Sequence, residues 1–352
     1  MNERPPHPMV TSAALERFAH ALLQAGGMSD ANAHQVAQAL VWADMRGTGS
    51  HGVSRIPLYL QWLASGQMKG DASPRVVSQL PALVMVDGQH GPGAPGMNVT
   101  LDAVTDGASR AGACIGLLRS TTHTGALGYF TSRIADRNML GIAMAASGPH
   151  MAYHGAAVAG VSTAPLSIAC PGASAQMPIV FDMASSAMAL GKLMQAKATG
   201  ATLPPDAAMD ATGQMTTDPS AATTLLPLGG PKGSGLALMA EVVSSLLVDN
   251  PLLSVALQTP PEQRIHEQNA VLIAIDIVQI VPLSRFREEA QALAQAMKTL
   301  PAARKDAPIL LPGERGHAHA NRAASGGIRL SPPTMQALEK LAERFKLTAP
   351  WA

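Results

Sequence analysis

A handful of separated positions carry the side chains that could do chemistry. His51 lies between Ser50 and Gly52, one helical turn before Arg55. A guanidinium at that spacing could grip a carboxylate in a two-pronged, charge-assisted bond and leave the neighbouring carbon beside the imidazole, as a held 2-oxo acid requires. Histidine titrates near neutral pH, but it needs a partner to fix its tautomer. The same residues also suit a plain helix cap at Ser50 followed by a surface histidine. His123, in the run Ser120-Thr121-Thr122-His123-Thr124-Gly125-Ala126-Leu127-Gly128, follows an apolar segment, so loop N–H groups and hydroxyls there could meet a ligand or form a polar turn with no role. Asp182 ends Ile179-Val180-Phe181 and precedes a stretch from Met183 to Ser186 expected to begin a helix. A carboxylate there either orients an imidazole or caps that helix. Lys232, in Pro227-Leu228-Gly229-Gly230-Pro231-Lys232-Gly233-Ser234-Gly235, offers a cation in a Gly-rich turn before a helix, a plausible phosphate site without Walker A spacing. His150, His154, His317 and His319 have no zinc-type spacing, so no metal is expected.

The elements that must position these groups follow from periodicity. Ser12 is expected to cap a helix with Leu15, Phe18 and Leu22 inward, and Ser29 a second with Val36, Leu40 and Ala43 inward. The loop from Thr48 to Gly52 leads to a third helix starting near Ser54, where Pro57 falls in the tolerated first turn and Arg55 and Tyr59 share a face. From Ala82 to Met183 the texture is of short β-prone runs separated by Gly, Pro and Ser. Gly200 to Lys232 reads as loop, Leu236–Val248 as helix, Val271–Val281 as strand and Phe286–Lys298 as helix. Ser331 caps a final helix that turns Met335, Leu338, Leu341 and Phe345 inward.

Composition narrows the class. The chain has 352 residues, more than one core usually serves, so two or three domains are expected. Lys and Arg total 25 against 24 Asp and Glu, and only 14% of residues are charged. No broad basic field exists to hold nucleic acid or anionic lipid. Aromatics make up 3%, so packing must rest on Ala, Val, Leu, Ile and 19 Met. Cys114 and Cys170 read as small core residues of a reducing compartment. Met1 to Val10 has three prolines and no apolar h-region, and no run approaches the ~20 residues of a membrane helix, so a soluble cytoplasmic protein is expected.

One motif tempts. Gly91-Pro92-Gly93-Ala94-Pro95-Gly96 matches GxGxxG between a strand-like and a helix-like run. Two prolines remove N–H groups that a pyrophosphate would need, and no acid follows at the ribose distance. The preferred reading is a turn capping a helix that begins near Met97; Arg119 could meet a 2′-phosphate or simply end a strand.

Taken together, several blocks resemble one family. These are Asp44-Met45-Arg46-Gly47, Ser50-His51-Gly52-Val53-Ser54-Arg55 with Tyr59, Thr122 to Tyr129, Phe181-Asp182-Met183-Ala184-Ser185-Ser186, Pro227 to Leu238, and Leu311-Pro312-Gly313-Glu314-Arg315. In this order, over about residues 10 to 345, they resemble the malate/L-lactate dehydrogenase family of the second type, unrelated to the Rossmann enzymes. The resemblance implies a mixed α/β fold with a non-Rossmann NAD(P)-binding domain, a largely antiparallel sheet, and flanking helical domains. It implies residues 10–80 plus 285–352 as a helical substrate and dimerisation domain, and 81–284 as the sheet domain with a helical insertion around 185–250. The implied activity is NAD- or NADP-dependent hydride transfer to small 2-oxo acids or from 2-hydroxy acids. Reduction of cyclic imino acids such as piperideine or pyrroline carboxylate is the alternative, and a non-catalytic binding homologue a further one.

By the same resemblance Ser50, His51 and Asp182 form the proton relay, and Arg55, with Tyr59, holds the substrate. His123, Thr124, Gly125, Ala126, Leu127, Pro231, Lys232, Glu314 and Arg315 contact the cofactor, although His123 is an alternative base. Lys232, Arg315 and Arg322 could pair with a 2′-phosphate. The expected partner is a small carboxylate, with neither nucleic acid nor membrane, in a homodimer. The chain departs from the family at Ser162-Thr163-Ala164-Pro165, where Gly-Thr-Asn-Pro is common, which bears on substrate preference. The low charge from Met144 to His154 suits one carboxylate rather than two.

Overall fold

A seven-stranded sheet carries the molecule, and helices packed on it place the residues singled out above. The computed structural model describes residues 8–172, 177–304 and 307–351. The first seven residues of the Pro-rich leader therefore lie outside the described residues.

Helix α1 (Ser12–Ala25) is capped by Thr11, whose Oγ1 accepts from Ala14 N–H, so the cap falls one residue before Ser12. Ser29 caps α2 (Asp30–Met45) as its sequence suggests. Two 3₁₀ turns, Gly49–His51 and Val53–Arg55, then lead into α3 (Ile56–Ala64), with Pro57 in its first turn. The helix starts later than Ser54 because Gly52 is extended and separates the turns.

Strands β1 (Arg75–Leu80) and β2 (Leu83–Gly91) form a hairpin, followed by α4 (Gly93–Ala111) and β3 (Ala113–Thr121). After β3 come α5 (Leu127–Asp136) and β4 (Met139–Ser147). Two short strands, β5 (Met151–Ala152) and β6 (Ala159–Val161), precede β7 (Leu166–Cys170) and β8 (Ile179–Met183). Helix α6 (Leu190–Thr199), strands β9 (Ala208–Met209) and β10 (Thr224–Leu225), and α7 (Pro231–Ser244) follow. The chain ends with α8 (Leu253–Gln258), β11 (Gln268–Asp276), α9 (Leu283–Lys298), α10 (Glu314–Gly326) and α11 (Pro332–Phe345).

The large sheet runs β1-β2-β3-β11-β4-β7-β8. All its neighbouring pairs are antiparallel except β2 and β3, which are parallel and joined by α4. The expected largely antiparallel sheet is thus present. A smaller sheet, β6-β5-β10-β9, occupies part of the stretch expected to be a helical insertion. Strand β11 ends at Asp276 rather than Val281, because Asp276 turns its carboxylate onto Val278 N–H and caps a 3₁₀ turn.

The main core joins α1, α2, α4 and α5 to the buried face of the sheet through residues such as Leu15, Leu40, Met97, Leu118, Phe130 and Leu272. Apolar burial of this kind contributes roughly 25 cal/mol per Å². Leu338 of α11 belongs to the same core, and Val10 N–H pairs with Ile328, so the two ends of the chain pack together. No helix among the described residues is long and apolar enough to cross a membrane.

Candidate active site

Helix α2 ends at Met45, and the chain must turn sharply to present Ser50, His51 and Arg55. Asp44 holds that turn, since its Oδ2 accepts from Val53 N–H at 2.8 Å and a side chain at Gly52 would collide with its carboxylate. Burial pushes the Asp44 carboxyl up to about 7, while the Val53 bond pulls the other way. The N-terminus of α6 presses on the same turn, where only glycine at 191 fits against Ser50. Within it, Ser50 Oγ bonds His51 Nδ1 at 3.0 Å, and Arg55 Nε donates to the Ser50 carbonyl at 2.6 Å.

The second wall is the loop from β3 to α5. Its threonines converge on one acceptor, as Thr121 Oγ1, Thr122 N–H and Thr122 Oγ1 all donate to the Gly91 carbonyl. Thr124 donates through both N–H and Oγ1 to Gln268 Oε1, and Ser120 N–H donates to Asn269 Oδ1. The Gly-rich motif serves this loop. Helix α4 begins at Gly93, not near Met97, and a Cβ on Gly93 would lie 2.5 Å from Thr124 Cα. The motif is a close-packing hinge beneath His123 rather than a phosphate turn. Arg119 is engaged with Asp87 at 3.6 Å and with the Val248 carbonyl.

These walls bring His123 to the Ser50–Arg55 turn. The His51 and His123 rings stack with centroids 5.5 Å apart, and Tyr59 Oη bonds His123 Nδ1 at 2.6 Å. A tyrosine hydroxyl both donates and accepts, so this bond holds the ring in either protonation state. Tyr59 stacks on Trp62, three residues along α3, and Trp62 lies flat on His266 with centroids 4.0 Å apart and planes at 12°. A small pocket lies against His51, Tyr59, His123, Thr124, Gly125 and the Pro92–Ala94 turn.

The electrostatics follow first from burial and then from neighbouring cationic groups. Burial and the Arg55 guanidinium hold His51 down to about 4. Burial, then Arg55, His51, His266 and His150, hold His123 well below the ordinary imidazole range. Burial, then His150 and Arg55, hold His266 down to about 3. Burial also raises the Tyr59 phenol, which stays protonated. No carboxylate bears on any of these groups among the described residues. The free site is thus a set of neutral imidazoles around a fixed guanidinium, an arrangement that favours an anionic ligand.

Asp182 pairs with a backbone N–H rather than with an imidazole. The segment after it is not helical, and its Oδ2 accepts from Gly128 N–H at 2.9 Å, capping α5 instead. Burial raises its carboxyl to about 6, against that bond. Among the described residues it has no hydrogen bond to His51. Lys232 is exposed at the start of α7, where the nearby amides are used internally: Gly233 N–H bonds the Leu228 carbonyl and Lys232 N–H that of Gly229. Pro231 contributes no N–H, so the ammonium is what this turn offers. Glu314 accepts from Leu311 N–H and pairs with Lys298, while Arg315 is exposed on α10. Neither contacts the imidazole cluster among the described residues. Ala126 and Leu127 are buried where α5 begins, directly after the His123 loop.

Sequence reasoning missed Trp62, His266, Gln268 and Asn269. The spacing of Trp62 from Tyr59 was a usable signal, because residues three apart share a helix face. The others lie far along the chain from the loop they support and carry no local signal.

A fold with a mixed sheet of this order and a paired-imidazole, guanidinium-containing cleft defines a class distinct from the nucleotide-binding βαβ proteins that GxGxxG suggests. Comparison with known proteins specifies it. The family model described as malate/L-lactate dehydrogenase matches residues 10–339, and the chain belongs to that family. It is 27% identical over 332 residues to a malate/(S)-sulfolactate dehydrogenase of Methanothermus fervidus, covering 94% of this chain and 96% of that one. It is 30% identical over 331 residues to a pyrroline-2-carboxylate/piperideine-2-carboxylate reductase of Pseudomonas putida, covering 93% and 95%. The solved malate dehydrogenase of Pyrococcus horikoshii superposes with a TM-score of 0.87 at 26% identity, over 99% of this chain and all of that one.

Proposed function

We propose that this chain is an NAD- or NADP-dependent oxidoreductase that interconverts small 2-hydroxy and 2-oxo acids. The observation that carries the reading is the His51–His123 stack, tied to Tyr59 and set beside Arg55 with no neutralising acid among the described residues. Relatives named as malate, sulfolactate and ureidoglycolate dehydrogenases support it.

The residues present fit a nicotinamide cofactor. A Cβ on Gly125, at φ +80°, would meet nothing within 4 Å, so the His123 loop is open to a ligand there, and the exposed Lys232 ammonium suits a phosphate. Thr124 to Leu127, Pro231 and Lys232 are the residues that would hold it, with Glu314 and Arg315 at a more distant turn. When bound, nicotinamide supplies the hydride acceptor or donor.

The chain's own groups do the rest. Arg55 holds the substrate carboxylate. Its positive field is, after burial, the largest reason that His123 resists protonation. A carboxylate beside Arg55 offsets that field and raises the basicity of the imidazole when substrate arrives. His123 Nε2 takes the hydroxyl proton in oxidation and returns it in reduction, while Tyr59 keeps hold of Nδ1. His51, oriented by Ser50, is its stacked neighbour and relay, and Asp182 fixes the far end of the His123 loop through Gly128.

Initial rates on pyruvate, oxaloacetate, sulfopyruvate and pyrroline-2-carboxylate, with NADH and NADPH followed by absorbance, test the reading. His123→Asn is expected to lower turnover by ~10²- to 10⁴-fold. Arg55→Ala is expected to raise the substrate KM by roughly tenfold or more. Turnover confined to the imine would favour the cyclic imino acid reductase, and turnover on none would remove the enzymatic reading. A homodimer is part of the proposal, supported by exposed Leu238, Met239, Leu246 and Leu247 along one end of α7 and the turn after it.

A further inference from the structure

His266 belongs to no motif and precedes β11 by two residues, yet it is built into the site. Its ring is clamped flat on Trp62. Its own backbone N–H is tied to Gln67 Oε1 at 3.3 Å, and its centroid lies 6.4 Å from that of His123. Within this frame its Nε2 is buried and has no hydrogen-bond partner. Buried polar atoms are nearly always paired, so an unpaired one on a ring 6.4 Å from that of His123 is placed to take a partner from a ligand bound there. The neighbouring charges say what that partner is. Arg264, two residues earlier, is held by a bond from its Nε to the Thr259 carbonyl, and its positive field, like that of Arg55, bears on His150. Of the two carboxylates of this segment, Glu267 is turned away to Asn250 and His90, and Glu262 is exposed.

Resting on the dehydrogenase reading above, we propose that His266 is a specificity-determining residue, whose Nε2 pairs with an oxygen on the tail of a 2-oxo acid whose carboxylate Arg55 holds. The tail that fits is an oxyanion, carboxylate or sulfonate, because the fixed guanidinium of Arg55 bears on His266 and that of Arg264 on neighbouring His150, and no acid among the described residues bears on either ring. An aliphatic tail leaves Nε2 without a partner and is disfavoured. The low charge of Met144 to His154 suits a substrate with one carboxylate; the cation that alters this is Arg264, brought in by the fold together with the neutral His266.

The test compares kcat/KM for oxaloacetate and sulfopyruvate with that for pyruvate in the wild type, His266→Phe and His266→Gln. Phenylalanine keeps the stack on Trp62 and removes the nitrogen, whereas glutamine keeps an amide that can donate and accept. The wild type is expected to prefer the tailed acids. In His266→Phe the ratio of tailed to untailed kcat/KM falls about tenfold or more, and His266→Gln recovers part of it. Oxaloacetate against sulfopyruvate tells which oxyanion is taken. A ratio unchanged in His266→Phe, a loss shared equally by pyruvate, or a wild type that prefers pyruvate overturns the proposal while leaving the dehydrogenase reading standing. A wild type that reduces no oxo acid overturns both.

Discussion

A methyl group added at Gly93 tests whether the Gly-rich turn is a hinge for the His123 loop. In Gly93→Ala the new Cβ would sit 2.5 Å from Thr124 Cα, where ordinary contact begins at 3.4 Å. The opposing atoms are backbone, so no rotamer change relieves the clash, and the loop or the start of α4 must retreat by about 0.9 Å, the difference between those distances. Overpacking of this kind costs about 1–3 kcal/mol. The loop cannot absorb the shift freely, because three donors fix it to Gly91 and two more to Gln268. His123 is displaced with it, and a displacement near 1 Å at a reacting group costs on the order of 10²-fold in rate. Thermal unfolding and steady-state kinetics on the same preparation read both effects. The expected result is a Tm lower by a few degrees, a large fall in kcat, and a cofactor KM changed no more than the substrate KM. Gly235→Ala, where a Cβ meets open space, serves as the control. A selective rise in cofactor KM at unchanged Tm would refute the hinge and restore the phosphate turn.

Two further outcomes follow from the buried titrating groups. In the oxidation direction the acid limb of kcat/KM, which reports the free enzyme, is expected below the ordinary imidazole pKa of about 6.5. The limb of kcat lies higher, since bound carboxylate offsets Arg55; coincident limbs would contradict this, and Tyr59→Phe should lower kcat while disturbing both. Asp44 has a folded-state value raised from 3.8 to about 7, so the stability it contributes is full below 3.8 and is lost as pH rises through 7. Asp44→Asn keeps an acceptor for Val53 N–H and removes that titration. Its Tm relative to the wild type is therefore expected to climb from about pH 4 to about pH 7, and parallel Tm curves would exclude the effect.

Local sequence determined a good deal here. Caps at Ser29 and Ser331, the short apolar runs of β3, β4 and β11, and the turn carrying Ser50, His51 and Arg55 are set by residues within a few positions of one another, where local apolar patterning and side-chain capping act. Tertiary structure decided the rest, because the forces concerned join residues far apart in the chain. GxGxxG does sit between a strand and a helix, and only the approach of the His123 loop shows that its glycines make room for a backbone rather than a phosphate. Asp182 lies next to the end of its strand, but which helix it caps depends on α5 lying alongside β8. His266 looks like an ordinary loop histidine until Trp62, from a helix near the other end of the chain, supplies the face on which it rests. Burial and summed charge, which make these imidazoles neutral, exist only once the chain has folded around them.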